Sequence, residues 1–301
     1  MSVPPVEPAA SGQVEQQLSA VEAAIVAVAA ADIARRATKA VARLRKGWMY
    51  GTAAAWRIAR TDAERILTRG RINVADRLRR LLPRAGVVGA GTVGGRTTTT
   101  WTPLDSPGIA DRLLTLDQSV AGRLQAAVDA IPIDRPASRA DLDEVTARVE
   151  RAKTATRAAV GDTVHETASN AAVDAAQDAG IGLIWRAERD SCLICASMAG
   201  ARMDAHGWFH PVKRYTASRT LLEPLRPPAH PRCRCVTVPD TPGMADGLQR
   251  EAERSIAYGW ADHESTAARL RAVDALLRAP SMLPVTVQRR ARAARAAGTF
   301  K

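Results

Sequence analysis

Two short segments decide how this chain is interpreted: WRAERDSCLICASMAG at residues 185–200 and RPPAHPRCRCV at residues 226–236. They contain all four cysteines of the 301-residue sequence and a histidine three residues before the third cysteine. Two cysteines separated by two residues are typical of a tight turn that directs both thiolates toward one point. Two such segments can supply the four ligands of a structural zinc site. The candidate metal ligands are therefore Cys192, Cys195, His230, Cys233 and Cys235.

Five candidate donors compete for the four positions of a tetrahedral zinc ion. Side chains alternate along an extended segment, so Cys233 and Cys235 are expected to point to one side and Arg234 to the other. Both cysteines can then ligate, with His230 as an alternative ligand or as a residue that supports one. Two other interpretations stay open: unliganded thiols packed as small apolar groups, and disulfide bonds. We expect Asp190 to cap the first cysteine turn rather than to bind metal.

A catalytic zinc centre of the nucleobase-deaminase type is not supported. Such enzymes carry His-x-Glu before Pro-Cys-x-x-Cys, whereas this chain has adjacent His165 and Glu166 and a serine, Ser191, before the first cysteine. His165 is predicted to be an ordinary polar residue on a helix surface. The loop between the cysteine segments is interpreted as a β-hairpin packed over the cluster, although His206 or His210 could add a metal ligand from it.

The cysteine segments resemble those of the phage Mu F-like minor head proteins, also called SPP1-type head-morphogenesis proteins. In that family a tryptophan, a C-x-x-C turn preceded closely by an aspartate, and a terminal P-x-H-P-x-C-R-C segment close the characteristic domain. The resemblance implies a minor capsid protein that is associated with the portal and acts in head assembly or in DNA packaging and delivery. It implies no catalytic residue. The matching positions are Trp185, Asp190, Cys192, Cys195, Gly200, Pro228, His230, Pro231, Cys233, Arg234 and Cys235.

The same resemblance implies a set of partners and a location. The partners are the phage portal protein, the major capsid or scaffold protein, and packaged double-stranded DNA bound without sequence specificity. The location is the virion, in the head interior or at the portal vertex, after synthesis in the host cytoplasm. Two alternative functions are a capsid maturation protease and a zinc-dependent DNA-acting module. The protease is disfavoured because no histidine precedes His165 and no G-x-S-x-G elbow is present.

The charge and composition of the chain limit its class. A formal net charge of +12 favours a polyanionic partner such as nucleic acid, and an arginine-rich coding bias is the alternative explanation. Aromatic residues make up only 4%, and alanine supplies much of the hydrophobic content, which favours long, closely packed helices. No lysine or arginine precedes Arg35, and the longest apolar run, residues 23–31, is too short to span a bilayer. We therefore expect a soluble protein without a membrane partner.

The hydrophobic pattern predicts a mainly α (α+β) fold. Long Ala-rich helices occupy the N-terminal half, a small β-region stapled by the Cys/His cluster lies near residues 185–239, and the C-terminal tail is helical. Five regions follow from the shifts in composition. They are a disordered tail at residues 1–12, an N-terminal helical region at 13–85, a Gly/Thr-rich hinge at 86–106, a Mu F-like domain with helices and the Cys/His cluster at 107–239, and a helical basic extension at 240–301.

Individual helices follow from apolar spacing and from local start and stop signals. One helix is expected from residue 13 through residue 44, and another at residues 73–82 that ends before a proline. Ser138 and Asp141 resemble a capping box at the start of a helix over residues 139–179. The basic end of the chain, VQRRARAARAAGTFK, is expected to be either disordered or an anchor on a polyanion.

Overall fold

The computed structural model describes residues 11–68, 72–93, 107–133, 135 and 137–301. Within these ranges the chain is mostly helical, which confirms the predicted mainly α fold. The elements are α1 (Ser11–Ala29), α2 (Ala31–Met49), α3 (Ala53–Thr68), α4 (Val74–Gly91), α5 (Pro107–Asp129), α6 (Arg139–Ala179), β1 (Leu183–Arg186), α7 (Leu193–Met198), β2 (Val236–Pro239), α8 (Met244–Tyr258), α9 (Thr266–Leu277) and α10 (Val285–Ala297), with short 3₁₀ helices at Arg219–Leu222 and Pro280–Met282.

The chain divides into two compact units. The first, here called the helical unit, comprises Ser19–Ala85 and Thr102–Val164. The second, here called the cysteine unit, comprises Met1–Leu18, Gly86–Trp101 and His165–Lys301. The boundaries of the five regions expected from the sequence stay predictions.

In the helical unit, α2 and α3 pack closely through small residues. A Cβ on Gly47 would lie 2.2 Å from the Cβ of Ala59, so the two helices approach to a separation that a larger residue would prevent. Trp56 on α3 is buried, and its indole nitrogen donates to the Pro132 carbonyl oxygen at 3.4 Å. This close packing through small side chains is what the Ala-rich composition predicts.

The single helix expected from residue 13 through residue 44 is wrong, because the chain bends by 52° between Gln16–Ala29 and Ala31–Met49. Ile25 and Ile33 on either side of the bend are both buried, so the apolar spacing continues through it and gives no sign of it. Within the described ranges, no helix by itself is long and apolar enough to cross a membrane, whereas this bent pair meets the length and composition criteria when taken together.

The helix predicted to end before Pro83 continues to Gly91 with the proline inside it. The glycines that suggested a hinge belong in part to this helix. A Cβ on Gly89 would lie 1.9 Å from the carbonyl oxygen of Ala168 on α6, so glycine is needed here for close helix packing. The loss of one backbone hydrogen bond at proline is offset by burial of Leu82 and Ala85 on either side of it. The remainder of the predicted hinge, residues 94–106, lies outside the described residues.

Helix α6 confirms the prediction over residues 139–179 at both ends. Its capping box is formed: the Ser138 amide donates to Asp141 Oδ2 at 2.7 Å, and the Asp141 amide donates to Ser138 Oγ at 3.2 Å. The hydrogen bonds from Arg135 and Ser138 hold the pKa of the Asp141 carboxyl well below its usual range. Local signals alone therefore located this helix.

The cysteine unit contains a small sheet in which β1 and β2 pair antiparallel, from Leu183 opposite Pro239 to Arg186 opposite Val236. The hairpin expected between the cysteine segments is reduced to isolated bridges, among them Met203 opposite Phe209. The Phe209 ring is fully buried and meets the Trp185 ring edge-to-face, with the ring centroids 5.7 Å apart. The loop is therefore linked to the sheet both by this aromatic contact and by backbone hydrogen bonds to β1, such as the one from the Met203 N–H to the Leu183 carbonyl oxygen at 2.8 Å.

The basic end of the chain forms a helix, α10, which confirms the predicted helical C-terminal tail. Of the two alternatives for this segment, disorder is therefore wrong, and an anchor on a polyanion stays a prediction. Val287, Ala291 and Ala294 are buried at helical spacing against the rest of the cysteine unit. Arg295 forms an ion pair with Asp274 of α9 at 3.0 Å, and the Arg290 guanidinium lies 5.1 Å from the centroid of the Tyr258 ring. An apolar stripe of small residues between the arginines explains why this segment packs instead of remaining free.

Candidate metal centre

The first cysteine segment forms a turn at the start of α7. Cys192 adopts an extended conformation as the N-cap residue, and its Sγ accepts the amide N–H of Cys195 at 3.5 Å. The prediction that Asp190 caps this turn is wrong. Asp190 instead accepts two hydrogen bonds from Arg234, at 2.6 and 2.8 Å. The thiol takes the capping position because its sulfur is a sufficient acceptor for one N–H group at a helix start.

The second cysteine segment also begins with a tight turn. The Cys233 amide donates to the His230 carbonyl oxygen at 3.0 Å, and Arg232 between them adopts a left-handed conformation with φ of 64°. After the turn the chain is extended, with Cys233 and Cys235 buried and Arg234 exposed. The predicted alternation of these three side chains is therefore confirmed.

The His230 imidazole is oriented by its own backbone. Its Nδ1 lies 2.8 Å from the Pro231 carbonyl oxygen, which can only accept, so Nδ1 carries the proton. Its Nε2 faces the first cysteine turn, 3.0 Å from Cys192 Sγ and 3.1 Å from Cys195 Sγ. A histidine that donates from one ring nitrogen to a carbonyl and directs the other at thiols has the arrangement found in metal-ligating histidines.

The sulfur positions agree with a metal site. Cys195 Sγ and Cys233 Sγ are 3.6 Å apart, close to the separation of about 3.8 Å expected for two sulfurs bound tetrahedrally to zinc. All four cysteines are free thiols, and a disulfide would require a sulfur–sulfur distance of about 2.05 Å. Cys192, Cys195 and His230 form one compact group of donors, and Cys195, Cys233 and Cys235 form another. The five predicted residues are thus brought together, and the cluster could hold a metal ion.

Charge within the cluster is distributed unevenly. Hydrogen bonds from Cys195 and His230 lower the pKa of the Cys192 thiol to about 4, and the hydrogen bond to Cys192 raises the pKa of His230 to about 9. Hydrogen bonds from Cys195 and Cys235 also lower the pKa of Cys233. In contrast, the hydrogen bond to Cys192 raises the pKa of Cys195, and burial raises that of Cys235. Two thiols of the cluster thus favour the thiolate form, whereas His230, Cys195 and Cys235 favour the protonated form and must lose a proton before they can bind a metal ion.

Several buried polar groups near the cluster have no hydrogen bond of normal geometry in the described structure, among them Ser191 Oγ and the indole N–H of Trp185. The indole nevertheless lies near enough to the sulfur of Cys235 to favour its thiolate form. An unpaired buried donor is costly, and a metal-bound thiolate would accept from it. The surroundings of Cys235 therefore fit a metal-bound sulfur better than a neutral thiol.

His165 is not the surface residue that was predicted. It is 6% exposed, and its Nε2 lies 2.7 Å from the Cys235 carbonyl oxygen. Its position was available in the sequence, because residues 165, 168 and 172 share one face of α6 and the last two belong to the alanine face expected to pack. The histidine links α6 to the chain that leads into β2.

Two further residues at the centre were not predicted from the sequence. Glu264, in the loop between α8 and α9, accepts the amide N–H of Leu193 through Oε1 at 3.1 Å. Arg269 of α9 is buried and donates to the Ser191 carbonyl oxygen. Both lie more than seventy residues from their partners, and no local pattern marks them. The possible extra ligand His210 is 3.0 Å from Asp204 and belongs to no candidate metal group among the described residues.

Comparisons with protein-family models, with curated proteins and with solved structures return no match to this chain. The motif resemblance and the geometry of the cluster are therefore the basis for a function.

Proposed function

We propose that this chain is a non-enzymatic minor head protein of a tailed bacteriophage, and that one structural zinc ion stabilises its cysteine unit. The observation that carries the proposal is the convergence of two cysteine segments, with Cys192 and His230 separated by 38 positions in the sequence but by 3.0 Å in space. These are the segments on which the resemblance to Mu F-like proteins rests. The motif and its geometry thus support the same interpretation.

Zinc is the metal that suits these donors. Thiolates with one imidazole form a soft to borderline set of ligands, which zinc accepts in a tetrahedron without any redox change. The cluster offers five such donors, so protein ligands alone can fill all four positions. A zinc ion without an open position holds a fold together and does not activate water. This supports a structural role over the alternatives of a zinc-dependent DNA-acting module and a maturation protease.

The proposed partners are the phage portal protein, the major capsid or scaffold protein, and packaged double-stranded DNA. The net charge of +12 supports proximity to DNA without sequence-specific recognition. In the helical unit, α2 exposes Lys39, Arg45 and Lys46 along its surface. The proposed location is the virion, in the head interior or at the portal vertex, after synthesis in the host cytoplasm.

Metal content and thiol titration of the full chain, purified without chelator, test the zinc proposal. We expect bound zinc and no reactive thiols until the metal is removed. Cys195→Ser, which removes the sulfur common to both groups of donors, should lower the zinc affinity at least tenfold, whereas His210→Ala, the control, should leave it unchanged. A metal-free protein with four reactive thiols would contradict the zinc proposal.

The composition of purified particles tests the head-protein proposal. In the phage or prophage that encodes this chain, we expect a few copies per particle in DNA-filled heads treated with nuclease and protease. Deletion of the gene should reduce head assembly or DNA delivery without changing the mass of the capsid subunits. Absence of the chain from particles contradicts the proposal, and an altered capsid-subunit mass would point to the protease instead.

A further inference from the structure

We propose a second metal site in the cysteine unit, in which Cys192, His263 and Glu264 bind a divalent cation of the zinc class. This inference rests on the proposed zinc centre, because the thiolate of Cys192 is shared between the two sites. It differs from that centre in two respects: its other two ligands come from the loop between α8 and α9, and it keeps a coordination position for water.

The three ligand atoms lie close together. Cys192 Sγ, a ring nitrogen of His263 and a carboxylate oxygen of Glu264 are all within 4.8 Å of one another. Ligands of one tetrahedral ion lie about 3.3–3.8 Å apart, given metal–ligand bonds of about 2.0–2.3 Å. Small side-chain rotations therefore suffice. The His263 ring is about half exposed, and its neighbour Asp262, 3.5 Å away, is 98% exposed, so little is lost when the ring turns.

Glu264 is already fixed beside the first cysteine turn. One of its oxygens, Oε1, accepts the Leu193 amide N–H. A carboxylate has two oxygens and several lone pairs, so this hydrogen bond leaves capacity for a metal ion. The bond also explains how a residue 71 positions from Leu193 is held at the cluster in the absence of any ion.

The number of donors exceeds what one ion can use. Five donors surround the proposed zinc, and His263 and Glu264 bring the total to seven, while a tetrahedral ion takes four. A thiolate sulfur has enough lone pairs to bridge two ions, so Cys192 can belong to both sites.

His263 also borders the space in which the proposed zinc centre lies. A cavity of about 30 Å³ is lined by the five donors of that centre and by His263. The second site would therefore adjoin the first, with Cys192 between them.

The test is the number of metal ions per chain. The full chain is loaded with excess zinc, desalted, and analysed for zinc and protein. We expect two ions per chain in the unmodified protein and one in Glu264→Gln and in His263→Ala. The glutamine variant keeps a side-chain oxygen that can accept the Leu193 N–H, so it separates metal binding from the structural hydrogen bond. Asp262→Asn and His210→Ala are matched controls that should keep two ions.

The kinetics of zinc release add a second readout. With a chromophoric chelator, the unmodified protein should release zinc in two phases, and the fast phase should disappear in Glu264→Gln. One ion per chain in the unmodified protein overturns the second site and leaves the zinc centre standing. No ion at all overturns both. Two ions that persist in both variants overturn the assignment of His263 and Glu264 as ligands.

Discussion

The indole of Trp185 allows a sharp test of whether a metal-bound sulfur lies beside it. Trp185 is fully buried, and its N–H lies near Cys235 without a hydrogen bond of normal geometry in the described structure. Burial raises the pKa of the Cys235 thiol, so in the metal-free protein the sulfur is a neutral, weak acceptor. With zinc bound it becomes a thiolate and a good acceptor. Trp185→Phe should therefore weaken zinc binding specifically.

The magnitude follows from the hydrogen bond that is lost. A bond to a charged acceptor contributes about 1.5–3 kcal/mol, and sulfur belongs at the lower end of that range. Since 1.4 kcal/mol corresponds to a factor of ten, we expect the zinc dissociation constant to rise about tenfold. The smaller phenyl ring also loses packing, but that loss is nearly the same with and without zinc and cancels in a thermodynamic cycle.

Two measurements complete the cycle: competitive zinc titration against a chromophoric chelator, and urea unfolding with and without the metal. The control is Phe209→Leu, which disturbs the same aromatic contact but not the N–H group. It should destabilise both forms equally. If Trp185→Phe also lowers the unfolding free energy by the same amount with and without zinc, Cys235 is not a metal-bound thiolate facing the indole, and the reasoning is refuted.

Three further predictions concern packing and protonation. Gly89→Ala should lower the unfolding free energy by about 1–3 kcal/mol in urea, because its Cβ would lie 1.9 Å from a carbonyl oxygen of α6; Gly91→Ala, with open space around it, should not. His165→Ala should cost about 1–3 kcal/mol in the same assay by leaving the Cys235 carbonyl unpaired, and an unchanged midpoint would contradict this. In the metal-free protein, the raised pKa of His230 contributes stability that is complete below pH 6.5 and lost as the pH rises through about 9. The measurement is the difference in urea midpoint between the unmodified protein and His230→Ala, which should shrink over that range; a difference that does not change with pH would contradict this.

The sequence correctly predicted those features that depend on residues close together in the chain. The capping box of Ser138 and Asp141 fixes the start of α6, and the glycine after residue 179 fixes its end. The spacing of the cysteines likewise located the two ligand turns, because each turn is formed by the few residues between its donors. The meeting of the two turns depends on contacts between residues 38 positions apart, which the spacing alone does not determine.

The wrong predictions concern features that depend on contacts between residues far apart in the sequence. Pro83 remains inside α4 between the buried residues Leu82 and Ala85, and Gly89 allows α4 to approach Ala168 of α6. His165 is buried because it meets a carbonyl seventy positions away. Glu264 reaches the cluster through a loop that carries no motif. In each case the favourable contact forms only in the folded unit. The spacing of apolar residues and the helix propensity of the sequence therefore do not predict it.

The composition of the chain explains why the cysteine unit would need a metal. Its sheet has two strands of four residues, and an isolated pair of this size is marginal in water. In the described structure, Trp185 and Phe209 form the only contact between aromatic rings at that sheet. The cluster lies where the strand β2, the turn before α7 and the carbonyl held by His165 of α6 meet. A zinc ion at that point would join segments that also share one hydrophobic core, so its binding would add to the stability of the folded unit.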